Sequence, residues 1–240
     1  MTLNKKYNEE YLECEKQWVF VLLMITAGFL GAFTYKLRGG VFCNAQTGNL
    51  LYMALALGDG RWKDVLYYLI PISAYILGTV ISDAIAGPIK RLHIIRWDTL
   101  FIMIEMLTVV VLAIMPESVP NQVSQIIVNF ICSMQYNTFR QAQSVPMATT
   151  FCTAHTRELG TWLSRALRHK DGKAAVRAWK HAGMILAFVA GVGSGAILCN
   201  NFGGKAAFFV LIPLGIILSD FLYADLKMEK DMFDRVPRGH

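Results

Sequence analysis

The sequence predicts an all-α membrane protein of about six transmembrane helices, in two inverted three-helix repeats, each with a re-entrant or broken-helix segment. Three observations predict it. The apolar residues come in blocks of about 19–25, the length a helix needs to cross a hydrocarbon core of about 30 Å. Charged residues make up only 17% of the 240, and hydrophobic ones 55%, against about 25% charged in a soluble domain. A six-residue motif also occurs twice, once in each half, each time after a helical span. Backbone in lipid must satisfy its own hydrogen bonds, so the spans are helices. Segments of about 10 residues alternating apolar and polar, the mark of a membrane barrel, do not occur.

The elements follow in order. Residues 1–16 carry Glu9, Glu10, Glu13 and Glu15, show no cleavable leader pattern, and form an expected cytoplasmic segment. The first repeat is expected over 17–116, with spans at 17–35, 63–87 and 98–116. Between the first two lies 41–58, too polar and too short for an ordinary span. The second repeat, 121–225, has spans at 121–143, 178–200 and 204–225, with a matching odd segment at 147–167. Residues 226–240 form a basic cytoplasmic tail. The odd segments repeat each other: Phe42-Cys43-Asn44-Ala45-Gln46-Thr47 against Phe151-Cys152-Thr153-Ala154-His155-Thr156.

Charge orients the chain. The formal charge is +6, and the cations sit in loops. Lys90, Arg91 and Arg96 form one group, Arg165, Arg168, Lys170, Lys173, Arg177 and Lys180 a second, and Lys227, Lys230, Arg235 and Arg238 a third. Such loops stay in the cytoplasm. The turn 116–120 has no cation and faces outward. The chain is then already inside when it reaches 147–167, so that segment enters and leaves by one face. By the repeat, 41–58 does the same from outside. Each half has an odd number of spans, so the halves are inverted and both termini are cytoplasmic, a frequent transporter plan. Lys36, Arg38, Arg61, Lys63 and Lys205 are the basic residues left outside, five of 23. A basic balance of this origin argues against a nucleic-acid partner.

The repeated segments carry the functional expectation. Each has small polar residues and Phe, then Thr, then an apolar run. Thr47-Gly48-Asn49 is an expected helix start with Thr as cap. A helix over about 48–57 would be only ~15 Å long, with free N–H groups and the positive end of its dipole at the midplane. Discontinuous helices meeting there hold small anions or coupled ions in many transporters. The other reading is a pair of amphipathic helices lying along the membrane surface. Gln46, Thr47, Gly48, Asn49, Gln135, Asn137, Arg140, His155 and Thr156 are the expected substrate-binding residues. Glu105, mid-span, is a candidate for proton coupling or a structural partner of Arg140 or of a backbone amide. Asp83 and Asp220 lie near cytoplasmic ends and read as interface residues. Arg157 is open to anion binding, to pairing with Glu158, or to the cytoplasmic face. His155 takes the slot of Gln46, with a hydrogen-bonding or proton-linked role.

Two glycine-rich stretches, at 191–195 and 27–32, read as faces for close helix packing. Neither is a phosphate-binding loop. No nucleophile elbow, zincin motif or paired-carboxylate pattern occurs, so an enzyme is not expected. The cysteines Cys14, Cys43, Cys132, Cys152 and Cys199 lack CxxC or zinc spacing and read as small buried residues, so no metal or cofactor is expected.

Residues Gly39-Gly40-Val41-Phe42 through Thr47-Gly48-Asn49-Leu50 resemble the GGxFxxxxTGN signature of the YoaK-like (DUF1275, UPF0700) bacterial membrane proteins. Met134-Gln135 through Arg140, then Val145-Pro146 to Thr153, are similar to that family's second characteristic stretch. The likeness covers nearly the whole chain in span order and spacing. The family commonly has an acidic residue where this chain has Gly31, and Thr-Gly where it has Thr153-Ala154. The resemblance implies about six helices in a bacterial inner membrane and no substrate. The function expected from the residues is a small-solute secondary transporter or channel-like permease, with an anion as one substrate class. A non-transporting sensor or accessory subunit is the alternative. The implied partners are the lipid bilayer, a small-molecule or ion substrate and, as one open assembly, a homo-oligomer.

Overall fold

The computed structural model describes residues 11–90, 95–233 and 235–237, with the side chains of 87–90 and 231 left aside. Of the expected features, residues 1–10 with Glu9 and Glu10, the loop residue Arg91 and the tail residue Arg238 lie outside the described residues. Among the described residues eight α-helices carry the fold: α1 Gln17–Leu37, α2 Gln46–Gly58, α3 Trp62–Lys90, α4 Trp97–Ile114, α5 Asn121–Thr138, α6 Thr153–His169, α7 Gly172–Phe202 and α8 Leu211–Tyr223. A two-stranded hairpin, Gln141–Ala142 with Val145–Pro146, follows α5. A 3-10 segment, Gly203–Val210, leads into α8, and a π-turn, Ala224–Met228, leaves it.

The chain is an all-α membrane protein. Among the described residues four helical stretches are long and apolar enough to cross a membrane: Gln17–Leu37, Trp62–Ala86, Trp97–Ile114 and the continuous run Gly172–Met228. That run contains α7 and α8. It turns back at Gly203, whose φ of +54° suits a residue without a side chain. Leu198 then lines the same cleft as Phe209, and Ser194 the same cleft as Pro213. Helix α5 is more polar than these four stretches, because Asn121, Gln122, Ser124, Gln125, Asn129, Ser133 and Gln135 interrupt it. Large apolar side chains stay exposed on the outer helices, among them Leu66 and Leu77 on α3, Leu107 on α4, Leu186 and Ile197 on α7 and Ile212 on α8. A water-soluble monomer rarely shows such a surface, and lipid is the solvent that suits it.

Helix α1 is the most enclosed element, with Phe20, Leu23, Met24, Leu30 and Phe33 buried. It packs along α7 and also meets α8 and α5. Helix α3 packs along α5. The short helices fold back on their successors, α2 on α3 and α6 on α7. The expected glycine faces do meet. A Cβ on Gly28 would strike the Phe188 carbonyl, and one on Gly191 the Ile25 carbonyl. Gly78 likewise lets α3 approach the Phe130 carbonyl of α5.

Several boundaries differ from the expected ones. Helix α5 ends at Thr138 rather than 143, because the chain turns into the hairpin through Gln143 and Ser144, both at positive φ. Helix α2 begins at Gln46, and Ala45 rather than Thr47 is its N-cap residue, with no side-chain cap. Helix α7 starts at Gly172, with Asp171 as a true cap accepting from the Lys173 amide. Residues 11–16, expected as a cytoplasmic segment, tuck into the fold: Leu12, Glu13, Cys14 and Glu15 are buried.

Candidate functional site

Both odd segments are extended stretches leading into short helices, 38–45 before α2 and 147–152 before α6. Both are held by polar side chains, many of them from α5. Gln125 and Asn129 are one helical turn apart on α5 and fully buried. Gln125 donates through Nε2 to the Arg38 carbonyl (2.6 Å) and the Tyr67 hydroxyl (2.5 Å), and Tyr67 donates to the Gly39 carbonyl. Asn129 Oδ1 accepts from Gln46 Nε2 at 2.8 Å. Asn49 clamps the extended stretch that precedes its helix: Oδ1 accepts from the Phe42 amide, while Nδ2 donates to the Phe42 carbonyl and to Gln46 Oε1. Gly48 leaves room for the Phe42 ring. Arg38 closes this end of the bundle. It is 2% exposed, reaches toward the Met115 carbonyl and lies over the Phe33 ring.

Deeper in the bundle, polar atoms are buried without partners. Glu105 has neither carboxyl oxygen hydrogen-bonded among the described residues, so the pairing with Arg140 considered above is not made. Thr26 Oγ1, Gln135 Oε1 and Thr149 Oγ1 are in the same position. Gln135 Nε2 donates to the Thr149 carbonyl at 3.0 Å and reaches the Leu23 carbonyl at 3.4 Å, joining the second segment to α1. The Cys43 and Cys132 thiols touch each other, and Glu105 bears electrostatically on Cys132. Tyr75 of α3 faces Thr150 of the second segment, and Cys43 of the first lies within its electrostatic reach. The two segments therefore approach a common centre from opposite ends of the bundle.

The other end of the bundle is open. A cavity of about 420 Å³ is lined by Asn137, Arg140, Ala148, Arg157, Glu158, Trp162, Arg177 and His181, among others. Arg140 also borders a second cavity of about 290 Å³, with Asp83, Arg96 and Trp97. Arg140 is held in place by Asn137, donating to its Oδ1 (2.6 Å) and its carbonyl (2.9 Å), and by Asp83 at 3.5 Å. Arg157 pairs with Glu158 at 2.6 Å, one of the readings left open above. Arg165 and Arg177 flank the Trp162 ring at 4.7 and 4.5 Å, and the indole donates to Glu158. His155, buried, faces His181 across 3.0 Å and contacts the Ala148 carbonyl at 2.8 Å.

The structure thus distributes the expected residues. Gln46, Gly48 and Asn49 build the first network. Asn137 and Arg140 line the open cavity, His155 backs it, and Gln135 connects its inner end to α1. Thr47 and Thr156 turn to the exposed surface, away from both clusters, and Thr156 Oγ1 bonds only back to the Cys152 carbonyl. Glu105 sits in the core beside Cys132. Gln125, Asn129, Tyr75 and His181 were missed. Gln125 and Asn129 had a readable signal, two amides one helical turn apart among the polar residues of that span. His181 had a weaker one, a lone imidazole at the start of a span.

A family model described as "Protein of unknown function (DUF1275)" matches residues 19–219. No curated protein and no solved structure matches the chain.

Proposed function

The chain belongs to the DUF1275 family, and on that premise we propose that it is a small-solute permease or secondary transporter of the bacterial inner membrane, taking a small anion. One observation carries the reading. Polar side-chain atoms of Gln125 and Gln135 on α5, of Glu105 on the adjoining α4 and of Thr149 against Gln135 are buried without partners among the described residues. Buried polar atoms normally find partners, and each one left without costs about 1–3 kcal/mol. A path that receives water or a polar solute meets that cost. The cavity wall holds Arg140, Arg157, Arg177 and His181 against the single carboxylate of Glu158, which favours an anion.

The inverted-repeat plan belongs to the same reading. Its support is the pairing of elements: α1 on α7 mirrors α5 on α3, α2 on α3 mirrors α6 on α7, and α1 with α8 mirrors α5 with α4. Under it both termini are cytoplasmic, the Arg140 end faces the cytoplasm, and Arg38, Gln125 and Tyr67 close the outer face. The fold is then a carrier in an inward-open state, not an enzyme. Carrier flux is tested in proteoliposomes with radiolabelled chloride, acetate, phosphate and sulfate. Uptake of at least one is expected, falling about tenfold or more in Arg140→Ala and in Gln135→Leu, a loss of at least ~1.4 kcal/mol. Thr47→Val should leave it unchanged. Folded protein that moves none of the four, or variants that transport as the parent does, would overturn the proposal and favour a sensor or accessory subunit.

A further inference from the structure

We propose that His155 and His181 form a relay that takes up a single proton from the open cavity and couples it to the anion; the inference rests on the carrier reading above. The hydrogen bonds define the relay. A carbonyl only accepts, so the contact of His155 Nε2 with the Ala148 oxygen at 2.8 Å requires the proton on Nε2. In a neutral ring Nδ1 is then bare and can only accept. His181 Nδ1, 3.0 Å away, must donate to it. His181 therefore carries its proton on Nδ1, and its Nε2 is the free basic atom. That nitrogen makes no hydrogen bond among the described residues, and His181 forms part of the cavity wall.

The pair has two ends with different duties. His181 Nε2 receives a proton from the cavity. Its Nδ1 proton can then pass to His155 Nδ1, which leaves His181 neutral and His155 as the cation. His155 in turn holds Ala148, just ahead of Thr149 and Thr150 in the second broken segment. Protonation thus places positive charge beside the cavity that Arg140 lines, on the residue that holds the second broken segment. A second proton would leave two facing N–H groups and two like charges 3.0 Å apart, so the unit takes one. The charged groups bearing on it are Glu158 from α6, Arg177 and Lys180 from α7, and Arg157 and Arg140 on the cavity wall. Glu158 is the counter-charge and shares its oxygens with Arg157 and Trp162.

Two measurements test this. Nitrogen-15 NMR of histidine-labelled protein should show one ring as the uncommon Nδ1–H tautomer, coupled across the hydrogen bond to the other; two Nε2–H rings would overturn the relay. In proteoliposomes with a pH-sensitive dye inside, the best-moved of chloride, acetate, phosphate and sulfate is offered outside. His181→Gln keeps an N–H donor for His155 but cannot titrate. It should lower the protons moved per anion about tenfold or more, a coupling within the usual range, so that proton movement falls far further than anion counterflow. His155→Gln should do the same. Proton movement retained in both variants overturns the relay. Loss of counterflow together with proton movement in both gives the pair a structural role alone and overturns it too. Absence of anion movement in the parent overturns the carrier reading itself, a result separable from either.

Discussion

Asn49 shows how one side chain can hold a break in a membrane protein. Its amide occupies both backbone groups of Phe42, as a neighbouring strand would. Asn49→Leu leaves that amide and carbonyl without partners inside the bundle, and each orphan costs about 1–3 kcal/mol. The melting temperature in detergent should drop clearly, while Thr47→Val, two residues away on the exposed face, should leave it unchanged. A different residue sets the pH response at the other end of the bundle. Arg96 lies 3.6 Å from Asp225 and 3.3 Å from Glu229, and Glu229 also accepts from the Glu13 amide. Burial pushes the Glu229 carboxyl up from its ordinary 4.5 to about 7, against the opposing pull of that amide and Arg96. A carboxyl with a raised value in the fold binds its proton more tightly there than in the unfolded chain. Its contribution to stability is therefore complete below 4.5 and is lost as the pH rises to about 7. Glu229→Gln should flatten the melting profile across that window. An unchanged slope would remove Glu229 as its source.

At the scale of the element, the glycine contacts decide how close helices come. Gly191→Leu would push a side chain into the Ile25 carbonyl, and Gly78→Leu would strike Phe130 and Ser133. Backbone cannot yield as a side-chain tip does, and forced overpacking costs about 1–3 kcal/mol or more. Both variants should lose stability in detergent, whereas Gly193→Leu, with open space around it, should not. The faces at 27–32 and 191–195 were legible in the sequence because small residues recur within a turn of each other, whereas the close approach at Gly78 was not read. The two breaks were legible because the FCxAxT motif repeats. The end of α5 was not. Gln143 and Ser144 adopt positive φ without a glycine to announce the turn, so the span read on to 143. Thr47 misled in the opposite way, since it is a good cap residue placed just inside a helix that begins without a side-chain cap. The His155–His181 contact joins residues 26 apart in the chain on different helices. No local pattern encodes it, and only the packing of α6 on α7 brings it about.

At the scale of the molecule, the apolar blocks conveyed a membrane protein but not how its parts interlock. Helix α1 makes its extensive contacts with α5, α7 and α8, all beyond residue 120. Helix α3 depends equally on α5. This arrangement has a consequence for biosynthesis. As the chain emerges from the ribosome, the helices before residue 116 enter the bilayer without the neighbours that will bury Phe20, Leu23 and Phe33. They must wait there, unmated, until the second half has been translated. Halves divided within the turn at 116–120 and expressed separately should each be cleared by membrane proteases. Expressed together, they should reassemble and be recovered as one complex, as a clasp holds only when both of its sides are present.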